Sequence, residues 1–325
     1  MKHKPIINTF AFLFAFCLVA LIHAQDQDTY DLQPHWKQGQ ESRYEFWNQR
    51  NQTITISMAG NSNDITRGYT SEGEIIWRVK TIKADGSAIC ELKIDFITIT
   101  LVAPDKSETV IDSRKSAPEP YKRFSDALTA IASSWLTFDV APNGEVRSVK
   151  GVKQLQSKVQ DPEDVPEALD FIESASDLAT LVGPPPALQI GGSWKQKFRW
   201  TFDPSIPFPG FNKIKSHINY NTTYTLDSVE DVESIPLATI TGTATMKLDI
   251  DKSSIPKEVP PVTFKLSNNQ FNTQILYDLQ RSEAVGRHTE QQNTVTANIA
   301  TPRGNLQCQV LLQQKSQVLR LAETN

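Results

Sequence analysis

The chain has 325 residues, 33 Lys and Arg against 37 Asp and Glu, a formal net charge of −4 and 39% hydrophobic residues. That length suggests about two domains of ordinary size. The balanced charge excludes a disordered acidic tail or a basic nucleic-acid arm as the main theme, and three cysteines are too few for a disulfide-built scaffold.

Lys2, His3 and Lys4 precede an apolar run over residues 10–22, and the small residue Ala24 follows. Basic start, apolar run and small residue in that order predict a secretory signal peptide over 1–24, cleaved near Ala24. The run falls short of the about 20 residues a spanning helix needs. Phe16 stands where a lipid-attachment motif would need a small residue before Cys17. Cleavage removes Lys2, Lys4 and Cys17, moving the net charge from −4 to −6 and leaving two of the three cysteines. The expected product is exported, periplasmic or extracellular, with no later membrane span.

Strand signals follow. Residues Ala88, Cys90, Leu92, Ile94 and Phe96 alternate with Glu91, Lys93 and Asp95, the period of two that a one-sided antiparallel sheet demands. The run 74–79 reaches that strand through Asp85-Gly86, which predicts a hairpin, and Asn143-Gly144 predicts a second one. Residues 219–226 and 239–250 read as further strands.

Two amphipathic helices interrupt the pattern. Tyr121, Phe124, Leu128, Ile131 and Trp135 recur at alternating spacings of three and four, and Leu169, Ile172, Ala175, Ala179 and Val182 share one face of a second helix over residues 164–181. The acidic start of the second, Glu163, Asp164, Glu167 and Asp170, reads as dipole compensation in preference to a metal site. Pro184, Pro185 and Pro186 end it.

Beyond the prolines the opening strands find echoes. Gly39, Tyr44 and Phe46 correspond to Gly192, Phe198 and Trp200, with the spacing off by one. Trp77-Arg78-Val79 corresponds to Tyr224-Thr225-Leu226, and Phe138-Asp139-Val140 to Tyr277-Asp278-Leu279. The expected organisation is a first β unit over 25–186, carrying both helices, and a related second unit over 187–325. The fold class is α+β, mostly β, with antiparallel sheets.

Residues Gly39, Tyr44, Phe46, Trp77, Val79, Asp112, Ser113, Phe138, Asp139, Val140 and Gly144 carry a resemblance. On them the chain is similar to a family of uncharacterised secreted bacterial proteins that are rich in β structure. The resemblance covers roughly 35–200, implies an envelope or secreted protein and brings no activity with it. Strands with two helices are also similar, at the level of fold alone, to the half-barrel carriers of lipids and lipoproteins.

Catalytic patterns are absent from the sequence. His35, His217 and His288 stand far apart, no paired Cys and His spacing occurs, and there is no Gly-x-Ser-x-Gly turn or phosphate-binding glycine pattern. Ser193, after Gly191-Gly192, reads as the start of a strand. Asp249 and Asp251 begin like a calcium loop, but Ser254 and Pro260 occupy its glycine and glutamate positions, which predicts a strand ending in a turn. No catalytic residue, metal ligand or cofactor is assigned. Lys195 and Lys197 among Trp194, Phe198 and Trp200 fit strand alternation without a nucleic acid, and residues 204–211 form a Pro-rich loop.

Cys90 and Cys308 both sit in phase with apolar neighbours, so export makes a Cys90–Cys308 bridge one expectation and two buried thiols the other. The function expected is a non-catalytic exported protein that binds or carries an apolar ligand or an envelope partner. A structural or adhesive envelope protein is the alternative, and an enzyme of unrecognised type stands behind both. If a pocket exists, the stripe Tyr121, Phe124, Leu128, Ile131 and Trp135 is expected to line it; otherwise that stripe fills the core.

Overall fold

The computed structural model describes residues 28–158, 184–201, 214, 216–255, 257, 259–301 and 304–322. The signal peptide, the helix expected over 164–181 and the loop 204–211 lie outside the described residues.

Twelve strands form one antiparallel sheet. In chain order they are β1 (Glu41–Met58), β2 (Asn61–Ile82), β3 (Ala88–Val102), β4 (Glu108–Asp112), β5 (Trp135–Val140), β6 (Val146–Lys150), β7 (Ser193–Thr201), β8 (Ser216–Val232), β9 (Ile235–Ile250), β10 (Val262–Asp278), β11 (Glu283–Thr301) and β12 (Gly304–Arg320). Across the sheet the order is β6-β5-β3-β2-β1-β12-β11-β10-β9-β8-β7, and β4 pairs with the second half of β3. Helix α1 (Lys122–Ala132) lies between β4 and β5, and the single turn α2 (Val152–Gln156) follows β6.

Three loops share one turn design. In 83–87, 103–107 and 141–145, the amide of Gly86, Lys106 or Gly144 donates to the carbonyl three residues earlier, and that residue has positive φ. Asp85, Asp105 and Asn143 each accept from the amide two residues on, the local bond that suits Asp and Asn to turns. The Asp-Gly and Asn-Gly hairpins are therefore as expected. The third escapes a glycine search because Lys106 holds φ at 68°.

β3 departs from simple alternation. Ile75 pairs with Ile94 but Glu74 pairs with Phe96, so Asp95 is an extra residue. Such a bulge flips the phase. Ile97 and Ile99 take over the buried row, and Phe96 turns outward beneath the Arg114 guanidinium, 4.1 Å from its ring centroid. Arg114 also grips Asp112 at 2.9 and 3.0 Å. Next to it, Ser113 accepts from the Ile97 amide, and its carbonyl accepts from Thr129 of α1. The Asp112-Ser113 pair thus closes β4 on β3 and docks the helix.

Helix α1 ends earlier than the stripe predicts. The hydroxyls of Ser133 and Ser134 both fold back onto the Ala130 carbonyl, at 3.0 and 2.7 Å, and Trp135 opens β5. Leu128 and Ile131 sit in the core with Ile97, Ile99 and Ile111, while Tyr121 and Phe124 pack half-buried at its margin. Trp135 is on the opposite face of the sheet, under the Arg78 guanidinium at 4.1 Å.

The same backbone pattern recurs in the two halves. Gly39 donates to the Val79 carbonyl and Val79 donates back to Gln40; Gly191 donates to the Leu226 carbonyl and Leu226 back to Gly192. Register shifts follow at once in both places, between Val79 and Thr81 and between Leu226 and Ser228. The third echo is displaced by two residues from its sequence alignment: the shift beside Val140 matches the one beside Tyr277.

Both thiols are free and buried, which corrects the disulfide expectation. Cys90 pairs with Val79 of β2, whereas Cys308 pairs with Ile56, which pairs with Asn63 at the other end of β2. At about 3.3 Å per residue those ends of β2 are roughly 50 Å apart, far beyond disulfide reach. Burial pushes the Cys90 thiol up to about 12 and raises that of Cys308. Denatured, unreduced mature protein should titrate two thiols, and the native protein should resist thiol reagents at pH 8; no free thiol after denaturation would contradict the register.

The Asp112 carboxyl is held down to about 2, chiefly by its bond from Arg114. Because the folded value lies below the ordinary one, its stabilisation is present above about pH 4 and is lost as pH falls through 2. Denaturant melts of Asp112→Asn should show a shallower acid-side loss than the wild type between pH 4 and 2.

Candidate functional site

Paired residues share a face, so the registers sort every strand into an inward and an outward row. On β1 the inward row is Ser42, Tyr44, Phe46, Asn48, Arg50, Gln52, Ile54 and Ile56, and the outward row holds Glu41, Arg43, Glu45, Gln49, Asn51 and Thr53. On β9 the outward row is Thr239, Thr241, Thr243, Thr245, Lys247 and Asp249. A bilayer-facing barrel needs the reverse, an outward apolar band.

The inward face is concave. Gln291 of β11 donates to the Tyr220 hydroxyl of β8 at 2.6 Å, although three strand spacings separate them, roughly 14 Å in a flat sheet. Phe198 of β7 and Phe271 of β10, also three strands apart, have ring centroids at 6.1 Å.

Apolar residues fill this face in two fields. One holds Tyr44, Ile75, Trp77, Leu92, Phe138 and Val318, continued by Leu226, Ile240, Ile275 and Tyr277. The other holds Ile54, Ala297, Ile299 and Val310, continued by Ile218, Tyr220, Phe271 and Val295. Between them the inward residues of β1, β12, β11 and β10 are mostly polar, with Leu312 and Phe271 set among them. Arg50 pairs with Gln314 and Gln314 with Gln291; Asn48 pairs with Ser316 and Ser316 with Thr289; Leu312 pairs with Asn293. Gln314 donates to Asn48 at 3.3 Å, Arg67 to Gln52 at 2.7 Å, and Thr273 and Thr289 share a bond of 2.9 Å. Ser71 and Thr222 extend the belt from either side, fully buried, with hydroxyls that have no partner among the described residues.

Asn293 is the most demanding member. It is 1% exposed, and neither amide atom has a partner among the described residues. It faces the Tyr220 hydroxyl, whose pKa burial pushes up to about 12 against the opposing effects of Asn293, Gln291 and the nearby Arg50 charge. An unpaired buried amide costs about 1–3 kcal/mol.

A second polar cluster closes the face near the chain's start. Glu283 accepts from Ser42 at 2.6 Å and Gln40 at 3.2 Å and is bridged by Arg320 at 2.9 Å. Burial raises its pKa. These partners tie β1 and β12 to the β10–β11 turn, a structural role. On the outward face, a shallow depression of about 300 Å³ is lined by Glu45, Trp47, Glu72, Phe96, Gln317 and Leu319 among others.

None of the belt residues stands out as functional in the sequence. His35 contacts Asp31 ahead of β1, and His288 of β11 lies near Glu290. Ser193 opens β7 after Gly191 at φ 81°, and Asp251 caps a short 3-10 turn after β9 by accepting from Ser253, both as expected. Among the described residues no three His, Cys, Asp or Glu side chains gather as a metal site, and no helix is long and apolar enough to cross a membrane.

No family model matches the chain, and neither does any curated protein. Among solved structures, it is similar to a structure of lipid-protein interactions in lipovitellin, at 13% identity and a TM-score of 0.42 over 88% of this chain. It spans only 25% of the lipovitellin chain. A DUF1329 family protein from Desulfovibrio piger matches at 9% identity and a TM-score of 0.12, over 83% of this chain and 84% of that one. Pseudomonas aeruginosa OpdQ matches at 10% identity and 0.22, over 87% and 98%. Matches this remote carry no argument about function.

Replacing Glu283 by Ala removes the largely buried carboxylate that Arg320 bridges and that Ser42 and Gln40 bond. Such a loss costs about 3–5 kcal/mol. Urea melts should show it, with Glu283→Gln losing less because the Ser42 and Gln40 contacts survive in part.

Proposed function

We propose that this is an exported, non-catalytic protein that holds an apolar ligand against the concave face of its sheet. One observation carries the reading: a single sheet face bears two apolar fields separated by an inward polar belt, while the outward rows of β1 and β9 are mostly polar. A protein that needed only a core would gain nothing from the belt, whose buried hydroxyls and amide go unpartnered among the described residues.

The proposal includes export by cleavage near Ala24 and descent of 25–186 and 187–325 from one duplicated β unit. The recurring Gly39 and Gly191 pairings, each followed by a bulge, support the duplication. Of the helix stripe, Tyr121 and Phe124 keep a lining role at the margin of the face, since Leu128 and Ile131 are committed to the core. A second reading, an envelope partner, rests on β6 and β7, each of which pairs on one side only among the described residues.

Native mass spectrometry of protein recovered from the exported fraction of its own host tests the reading. The expected chain begins at Gln25 and carries a co-purifying apolar adduct that organic extraction releases. An adduct-free chain that instead pulls down envelope proteins favours the edge-strand reading and removes the carrier one.

A further inference from the structure

On the outward face, one cross-strand row joins six strands. The registers set Leu276, Gly286, Leu319, Glu45, Glu74 and Phe96 side by side from β10 to β3. Five strand spacings make that row roughly 24 Å long. Trp47 and Glu72, paired with each other, flank it on β1 and β2. The outward depression of about 300 Å³ lies where these residues meet.

The acidic part of the row lacks a counter-charge. Glu45 stands directly opposite Glu74, a like-charged cross-strand pair of the kind that destabilises a sheet. Glu72 is two residues from Glu74 on the same face, so three carboxylates share the spot. No Lys or Arg among the described residues comes within ion-pair distance of any of them. The cations nearby serve other acids: Arg43 pairs with Glu41 at 3.9 Å, Lys93 with Asp95 at 3.2 Å and Lys315 with Glu290 at 2.8 Å. Arg114 feels the charges of Glu74 and Glu72, but its guanidinium bonds Asp112 at 2.9 and 3.0 Å and covers Phe96.

The apolar part is open as well. No ring or guanidinium of the described residues covers the half-buried Trp47 indole. Leu319 and Leu276 are 45% and 37% exposed and border the place where Gly286 has no side chain. An indole face beside carboxylates suits a guanidinium, which is planar, weakly hydrated and always charged. A row of roughly 24 Å is longer than one small cation and matches about seven residues of extended chain.

We propose that this row is a docking surface for a partner protein, which lays an extended basic segment across it. An arginine of that segment lies over Trp47 between Glu45 and Glu72, and an aliphatic neighbour packs on Leu319 and Leu276. The surface is independent of the concave-face ligand, which lies on the other side of the sheet.

Fluorescence anisotropy of labelled heptapeptides tests this on mature protein at low salt. Each peptide carries leucines at one end and arginines, lysines or glutamates at the other. The arginine peptide should bind, the lysine peptide more weakly and the glutamate peptide not at all. Glu45→Gln combined with Glu72→Gln should weaken the arginine peptide about 10-fold. Glu230→Gln combined with Glu233→Gln, the same change in net charge at the β8–β9 turn, should leave it as it was. Trp47→Leu should bring the arginine peptide down to the lysine one. Relief of the Glu45 and Glu74 repulsion means that Glu45→Gln should melt no earlier than the wild type, which separates lost binding from lost fold. A wild type that does not bind the arginine peptide, or equal weakening in the two double variants, overturns the docking surface. Displacement of the peptide by free spermidine as effectively as by unlabelled peptide overturns the partner segment in favour of a small cation.

Discussion

Everything in this molecule depends on the pairing of β1 with β12. It runs without a register shift from Tyr44 opposite Arg320 to Met58 opposite Leu306 and is the only ladder joining the first six strands to the last six along the described sheet. Because side chains alternate, a slip of one residue would send Tyr44, Ile54, Val310 and Val318 to solvent together. Each such side chain is worth about 1.5–3 kcal/mol on burial, so the register is fixed by many small terms acting in phase. Glu283 reinforces it, because Ser42 of β1 and Arg320 of β12 must lie side by side to reach the same carboxylate.

An in-phase sheet of this width would present a broad apolar plane to water unless it curled. The bulges supply part of that curl, since an extra residue bends its strand and increases the twist. Lys80, Asp227, Arg147 and Val285 are four of the residues passed over in the pairing, and all four lie close to hairpin turns at the same end of the sheet. The curl that brings Tyr220 within 2.6 Å of Gln291 therefore also creates the interior in which Asn293 is buried. Fold and site have one cause.

Local chemistry made the strands and two of the three similar loops readable from sequence. Asp85-Gly86 and Asn143-Gly144 announce themselves, whereas Lys106 takes the same positive φ without a glycine. The type of turn between β8 and β9 was equally hidden, because Glu233 and Ser234 hold it at φ 50° and 67°. The phase change at Asp95 was legible in principle: apolar residues at 97, 99 and 101 restart the alternation out of step with Ile94. The belt was not. Asn48, Gln291 and Asn293 are ordinary polar strand residues in sequence, and only the registers and the curl show that they point inward together. The Cys90–Cys308 idea failed for the complementary reason, since a shared apolar phase says which face a residue occupies and nothing about where along a long strand it sits.

The belt also bears on what kind of protein this can be. If stability alone shaped the interior, apolar residues at Asn293, Thr222 and Ser71 would bury more apolar surface and leave no unsatisfied amide or hydroxyl. A purely adhesive protein would place its demanding polar groups on the outward face or at its edges, where partners arrive. Here many outward residues are Thr, Asn or Gln, and several outward charges pair with neighbours, as Lys315 does with Glu290. The costly groups are inward, next to Arg50 and between two apolar fields. That distribution is what supports the proposed reading of a ligand held on the concave side of the sheet.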